Sequence, residues 1–158
     1  MEFRQLKYNR ITVFFSWLRF LLLKRFYKKI IIGASGRGLK GYLKTEEDYF
    51  NVLNYTDWEQ VDGLESIFSE QVWEHLPHPE FATKMAYRRL AKGGELLIAV
   101  PDGSIEKGIP SKESGHFWCF SLVQLWKLLQ DAGFYQIKIL ESDDRVRADK
   151  LHIIQGIK

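Results

Sequence analysis

The sequence predicts a layered α/β domain, and three observations carry that prediction. Lys29-Ile-Ile-Ile-Gly33 is a short run with no polar position inside it, as expected of a strand buried on both faces at the centre of a parallel sheet. Downstream of residue 64, apolar strand-like runs alternate with helical ones, the signature of strands covered by helices. The chain has 158 residues, 46% apolar and 27% charged, enough for one hydrophobic core and too few for two full domains or for wholesale disorder.

Taken in order, residues 11–27 predict one helix. Phe14, Trp17, Leu18, Leu21 and Leu22 share a stripe at helical spacing, and Phe15, Phe20, Leu23 and Phe26 widen it beyond one core face. Residues 29–33 predict the first strand, and the glycine-rich run 34–41 predicts a turn. Short strands are expected at 42–46, 50–53 and 64–69. An irregular turn between 71 and 78 precedes a helix over 80–91, which Gly93-Gly94 stops. A clear apolar strand over 95–100 ends at Pro101-Asp102-Gly103, and a polar loop follows. Residues 121–132 predict an amphipathic helix with Ser121 as N-cap and Gly133 as C-cap. Strands at 134–140 and 151–157 finish the domain.

The net charge of +3 is an average over two unlike parts. Residues 1–29 hold eight Lys/Arg and one acid, giving +7, while residues 30–158 carry −4. A mildly acidic body argues against a nucleic-acid partner despite the basic pI. The organisation expected is a basic, aromatic helix in residues 1–28 attached to a domain spanning 29–158. The apolar run 11–23 is too short and too charged to span a bilayer, which takes about 20 apolar residues, and cations follow it where a signal peptide would need small residues. The helix either packs on the domain, lies on an anionic membrane surface with its cations at the polar edge, or forms a homodimer contact. The single cysteine, Cys119, excludes an internal disulfide and a cysteine-built zinc site, and makes a reducing cytoplasm the expected compartment, with the inner membrane surface as the second choice.

The strand end Gly33-Ala-Ser-Gly36-Arg-Gly38 invites a cofactor, because glycines let backbone approach a ligand where open α/β sheets bind it. A nicotinamide dinucleotide would need that loop to open a helix, and Gly41 with the quick return to a strand pattern leaves no room for one. The four histidines, at 75, 78, 116 and 152, lack metal-ligand spacing, so no metal is expected.

Two further segments are more specific. Ile67-Phe-Ser-Glu-Gln-Val-Trp-Glu-His-Leu76 is followed by Arg88-Arg-Leu-Ala-Lys-Gly-Gly94 and an apolar strand ending Ala99-Val-Pro-Asp-Gly103, with Gly115-His116 beyond. In these segments the chain resembles the class I S-adenosylmethionine-dependent methyltransferases, in particular the type 11 group and its short predicted members tied to cell-surface polysaccharide pathways. The resemblance covers roughly residues 29–158. It implies a Rossmann-like three-layer sandwich with a mostly parallel sheet, an antiparallel C-terminal strand, and no helix after the first strand. The sheet face left bare by that missing helix would be covered by the helix at 11–27.

The resemblance also implies site residues. Gly33, Ala34, Ser35 and Gly36 would line the methionine end of S-adenosylmethionine. Glu46, or else Glu47, would take the ribose hydroxyls, and Asp57-Trp58 would lie against adenine. Ser69 and Glu70 would border the cofactor. Glu74 and His75 would fix the turn beneath it and take no part in the chemistry. Methyl transfer needs alignment more than strong acid–base groups, but a hydroxyl acceptor would gain from a base. Asp102 and His116 are the candidates, on the acceptor side. The function implied is methyl transfer to a small-molecule or saccharide-linked acceptor. A non-catalytic methyltransferase-like module or partner subunit, held at the membrane surface, is the competing reading.

Overall fold

A computed structural model of the chain describes residues 10–33, 38–45, 50–103, 115–146 and 150–158. Helix α1 (Arg10–Leu23) leads into strand β1 (Lys29–Gly33), then β2 (Leu43–Thr45) and the single-turn α2 (Tyr55–Trp58). Strand β3 (Leu64–Glu70), a 3-10 turn (Trp73–His75) and α3 (Pro79–Arg89) follow. Next come β4 (Leu90–Pro101), α4 (Leu122–Ala132), β5 (Gln136–Leu140) and β6 (Leu151–Ile157). The six strands form one sheet in the order β2-β1-β3-β4-β6-β5. β2, β1, β3 and β4 run parallel, and β6 runs antiparallel to both β4 and β5. No described helix is long and apolar enough to cross a membrane.

Alternation along the central strands divides the core between the two sheet faces. On one face, Ile30, Ile32, Ile67, Leu96, Ile98 and Ile154 pack with Phe20 of α1, Trp58 of α2, Ala82 and Met85 of α3, and Leu125 and Leu129 of α4. On the other, Ile31, Phe68, Leu97, Ala99 and Ile153 meet Leu39, Tyr42, Leu140, Val146 and Leu151. That second layer is built of connecting segments and two strand residues, Leu140 and Leu151: none of the described residues between β1 and β2 is helical.

Two expectations are corrected here. α1 does not cover the bare face. Its Phe20 packs edge-to-face on Phe50, which packs in turn on Trp58, so α1 joins the helix-covered core. Residues 50–53 are not a strand either. The Asn51 side chain accepts a hydrogen bond from the Leu53 N–H (2.9 Å), and this local turn diverts the backbone from a sheet ladder while Phe50 and Val52 still bury their side chains.

Other elements form as their residues dictate. The Ser121 hydroxyl accepts the Gln124 N–H (3.3 Å), the Gln124 side chain accepts the Ser121 N–H (2.8 Å), and Gly133 closes α4 at φ +109°. α4 crosses β6 so closely that a Cβ on Gly156 would lie 2.7 Å from Leu129 Cδ2. On the second face, Arg145 is gripped by Asp143 (Nε to Oδ1 2.8 Å) and by Glu95. It also donates to the Tyr42 hydroxyl (3.1 Å), leaving Tyr42 to donate to Ser66 (2.8 Å) and Ser66 to Glu95 (2.8 Å). This polar chain ties the 142–146 segment to the sheet.

Candidate functional site

The carboxyl ends of β1, β3 and β4 lie side by side, and open α/β sheets bind ligands outside that edge. Gly33, the last residue of β1, pairs with Glu70, the last of β3. Gly33 has φ +77°, and a Cβ there would stand 2.2 Å from Val72 Cγ2 and 3.0 Å from the Glu70 carbonyl. Only glycine lets the chain leave β1 this close to the turn after β3. That turn is itself tight: Gln71 has φ 55°, and its N–H donates to the Ala99 carbonyl (2.8 Å).

Ser69 and Glu70 are both buried at this edge, and the Ser69 hydroxyl has no hydrogen-bond partner among the described residues. An orphaned buried hydroxyl beside a glycine-only strand exit fits a ligand with polar groups seated on the β1 and β3 ends, as S-adenosylmethionine would be. Ala34, Ser35, Gly36, Glu46 and Glu47 lie outside the described residues.

Asp57 and Trp58 stand differently from the expectation. Asn54 caps α2, its side chain accepting the Thr56 N–H (3.1 Å). Asp57 accepts the Asn51 N–H (2.8 Å) and the Gln60 side-chain amide (3.2 Å). Trp58 is fully enclosed, its indole N–H donates to the Val52 carbonyl (2.9 Å), and its ring packs on Phe50. In this structure Trp58 presents no face to a ligand. It anchors the 50–58 segment.

On the β4 side, Asp102 follows the strand, and His152 on β6 brings its Nε2 to 3.1 Å from Asp102 Oδ1. From the sequence, His152 has no expected role in the site. The antiparallel register that puts His152 opposite Val100 makes this pair, and no local pattern signals it. Gly103 then meets residues 119–120: a Cβ there would lie 2.7 Å from the Cys119 carbonyl.

His116 is brought to the turn after β3. The Phe117 and Trp118 N–H groups donate to the Glu74 carbonyl (2.8 and 3.2 Å), and the Trp118 indole donates to the Leu76 carbonyl (2.8 Å). The His75 and His116 rings meet edge to face, centroids 4.7 Å apart. Glu74, His75 and His116 thus gather potential metal-ligand atoms within 4.8 Å of one another. Linear spacing gave no sign of this grouping, because residues 41 positions apart are brought together by the hydrogen bonds from Phe117 and Trp118 to Glu74.

A family model described as a methyltransferase domain matches residues 45–139. No curated protein matches the chain. Among solved structures, an S-adenosylmethionine-dependent methyltransferase from Thermotoga maritima is similar at 19% identity and TM-score 0.53, covering 93% of this chain and 97% of that one. PigF, solved with S-adenosylhomocysteine, is similar at 17% identity and TM-score 0.55 over 75% of this chain, which spans 36% of PigF. At these identities the likeness is one of fold.

Proposed function

The chain belongs to the methyltransferase-domain family, and from that premise we propose that it transfers the methyl group of S-adenosylmethionine to a small-molecule or saccharide-linked acceptor. The observation that carries this reading is the β1–β3 edge, where a glycine-only strand exit at Gly33 adjoins the Ser69 hydroxyl, which has no hydrogen-bond partner among the described residues. Within the family, the type 11 group with its polysaccharide association is supported by the Val72-to-Leu76, Ala99-to-Gly103 and Gly115-His116 segments together.

S-adenosylmethionine supplies a sulfonium-activated methyl group. The chain's part is to bind, align and exclude water. Gly33, Ala34, Ser35 and Gly36 would hold the amino-acid end of the cofactor. Glu46 accepts the ribose hydroxyls, and Ser69 and Glu70 close the floor. Asp57 keeps the adenine side in shape, with Trp58 supporting it from behind. Asp102, oriented by His152, takes the proton of an acceptor hydroxyl, and His116 borders the same side.

α1 bears on where the reaction occurs. Phe15, Arg19, Leu22 and Phe26 recur along one exposed side, and Arg25 stands 4.8 Å over the Phe26 ring. Exposed aromatics beside cations support peripheral contact with an anionic membrane, where lipid-linked saccharides would be met.

Calorimetric titration with S-adenosylmethionine and S-adenosylhomocysteine tests the reading. Saturable one-to-one heat supports it. A folded protein giving no heat at millimolar ligand overturns it in favour of a non-catalytic module.

A further inference from the structure

We propose that Glu74, His75 and His116 bind one zinc-type divalent cation, which fastens the segment beginning at Gly115 to the 3-10 turn after β3. One carboxylate oxygen and two imidazole nitrogens lie within 4.8 Å of one another, and His75 Nε2 stands 3.9 Å from Glu74 Oε1. A zinc ion with bonds of about 2.1 Å sets adjacent ligand atoms about 3.4 Å apart, so a closing movement of about half an ångström turns the His75–Glu74 pair into first ligands.

The His75 ring is already in the tautomer a metal needs. Its Nδ1 lies 3.1 Å from the Gly115 carbonyl, and a carbonyl can only accept. Nδ1 therefore carries the proton, and in the neutral ring Nε2, on the Glu74 side, keeps its lone pair. A backbone carbonyl on the second nitrogen is the usual way a ligating histidine is oriented. The backbone is equally committed. Three hydrogen bonds from Phe117 and Trp118 clamp the loop to Glu74 and Leu76, so His116 is held near its partners by more than its own side chain.

The donor set selects the ion. Two imidazoles and one carboxylate suit zinc, cobalt or nickel, whereas magnesium and calcium prefer all-oxygen sets. Three protein ligands leave a fourth position open. Glu74 is buried, while the His75 side chain is 42% exposed, so the ion has a path from solvent past His75. If the chain transfers methyl groups as proposed, the open position takes an acceptor oxygen beside His116; zinc binding itself does not depend on that.

The test uses the full chain, stripped with a chelator and titrated with zinc chloride by calorimetry without S-adenosylmethionine, with cobalt(II) absorption as a second readout. One equivalent should bind, and cobalt should give the visible bands of a low-coordinate site. His116→Ala and His75→Ala should each weaken binding about tenfold or more. His116→Gln, a milder change that keeps a polar side chain, serves if either variant loses its fold by circular dichroism. His78→Ala should leave binding unchanged, because His78 pairs instead with Glu80 on the surface (3.4 Å). No zinc bound by the folded chain, or binding that survives the loss of both His75 and His116, overturns the proposal. Cofactor titration is a separate measurement, so either reading can fail alone.

Discussion

His152 Nε2 stands 3.1 Å from Asp102 Oδ1, which joins the antiparallel strand β6 to the residue that follows β4. The pair brings the imidazole beside the carboxylate at the carboxyl end of a parallel strand. In the proposed reaction Asp102 is the base for an acceptor hydroxyl and His152 is its positioning residue. Asp102→Asn should lower turnover about a hundredfold on an acceptor hydroxyl, with cofactor affinity unchanged. His152→Ala should lower it less, and His152→Gln, which keeps a donor, should recover part of the loss. Steady-state kinetics with calorimetry of cofactor binding checks this. Equal losses in cofactor affinity would assign the pair to the fold alone.

Gly33 permits the strand exit, and its replacement should separate stability from binding. Gly33→Ala places a Cβ 2.2 Å from Val72 Cγ2 at φ +77°. A destabilisation of about 1–3 kcal/mol is expected in chemical unfolding. In conditions where the variant stays folded, cofactor heat should be lost. A Val72→Ala partner change relieves the clash and should recover stability more than binding.

The helix α1 has one buried side and one exposed side with different work. Phe20→Ala should cost about 3–4 kcal/mol, because it empties a site between Phe50 and the sheet. Phe15→Ser with Phe26→Ser should change stability by under about 0.5 kcal/mol. The same pair should sharply reduce flotation with vesicles rich in phosphatidylserine. Unchanged flotation, or no flotation by the unaltered chain, would remove the membrane contact.

Arg145 predicts an acid-side dependence. Its hydrogen bonds hold Asp143 below the usual carboxylate range against the opposing effect of burial. Burial pushes Glu95 up, but hydrogen bonds from Arg145, Ser66 and Gln155 outweigh it and leave Glu95 lowered too. Arg145 is raised, first by Asp143 and then by Glu95 and Tyr42, with burial opposing. Groups with depressed folded-state values stabilise above the ordinary carboxylate range of about 4, and that contribution is lost as pH falls through the folded values. The raised arginine loses nothing at neutral or moderately alkaline pH. Melting temperature should therefore fall on acidification below about pH 4. Arg145→Met should cost about 2 kcal/mol at neutral pH and flatten that fall.

What was legible in the sequence was local. The wholly apolar Ile30-Ile31-Ile32 run announced a central strand, and Ser121 with Gly133 bounded α4, because periodicity and capping act over a few residues. The segment at 50–53 misled because Phe50 and Val52 alternate as strand residues do, while the Asn51 side chain bends the backbone. The face chosen by α1 was hidden because aromatics surround that helix, and the distant Phe50, itself packed on Trp58, receives Phe20 on the buried side. Within the site, the Gly33 exit could be read from the glycine and the strand before it. Asp102–His152, Glu74–His75–His116 and Glu95–Arg145 could not, since each joins residues about 40 to 50 positions apart through sheet register or loop docking.

The central claim is that S-adenosylmethionine sits on the β1 and β3 ends. A crystal structure of the chain with S-adenosylhomocysteine tests it most directly. The amino-acid end should lie against the Gly33 backbone, with a polar group of the ligand on the Ser69 hydroxyl. Ligand found elsewhere, or an empty β1–β3 edge at saturating concentration, would contradict it.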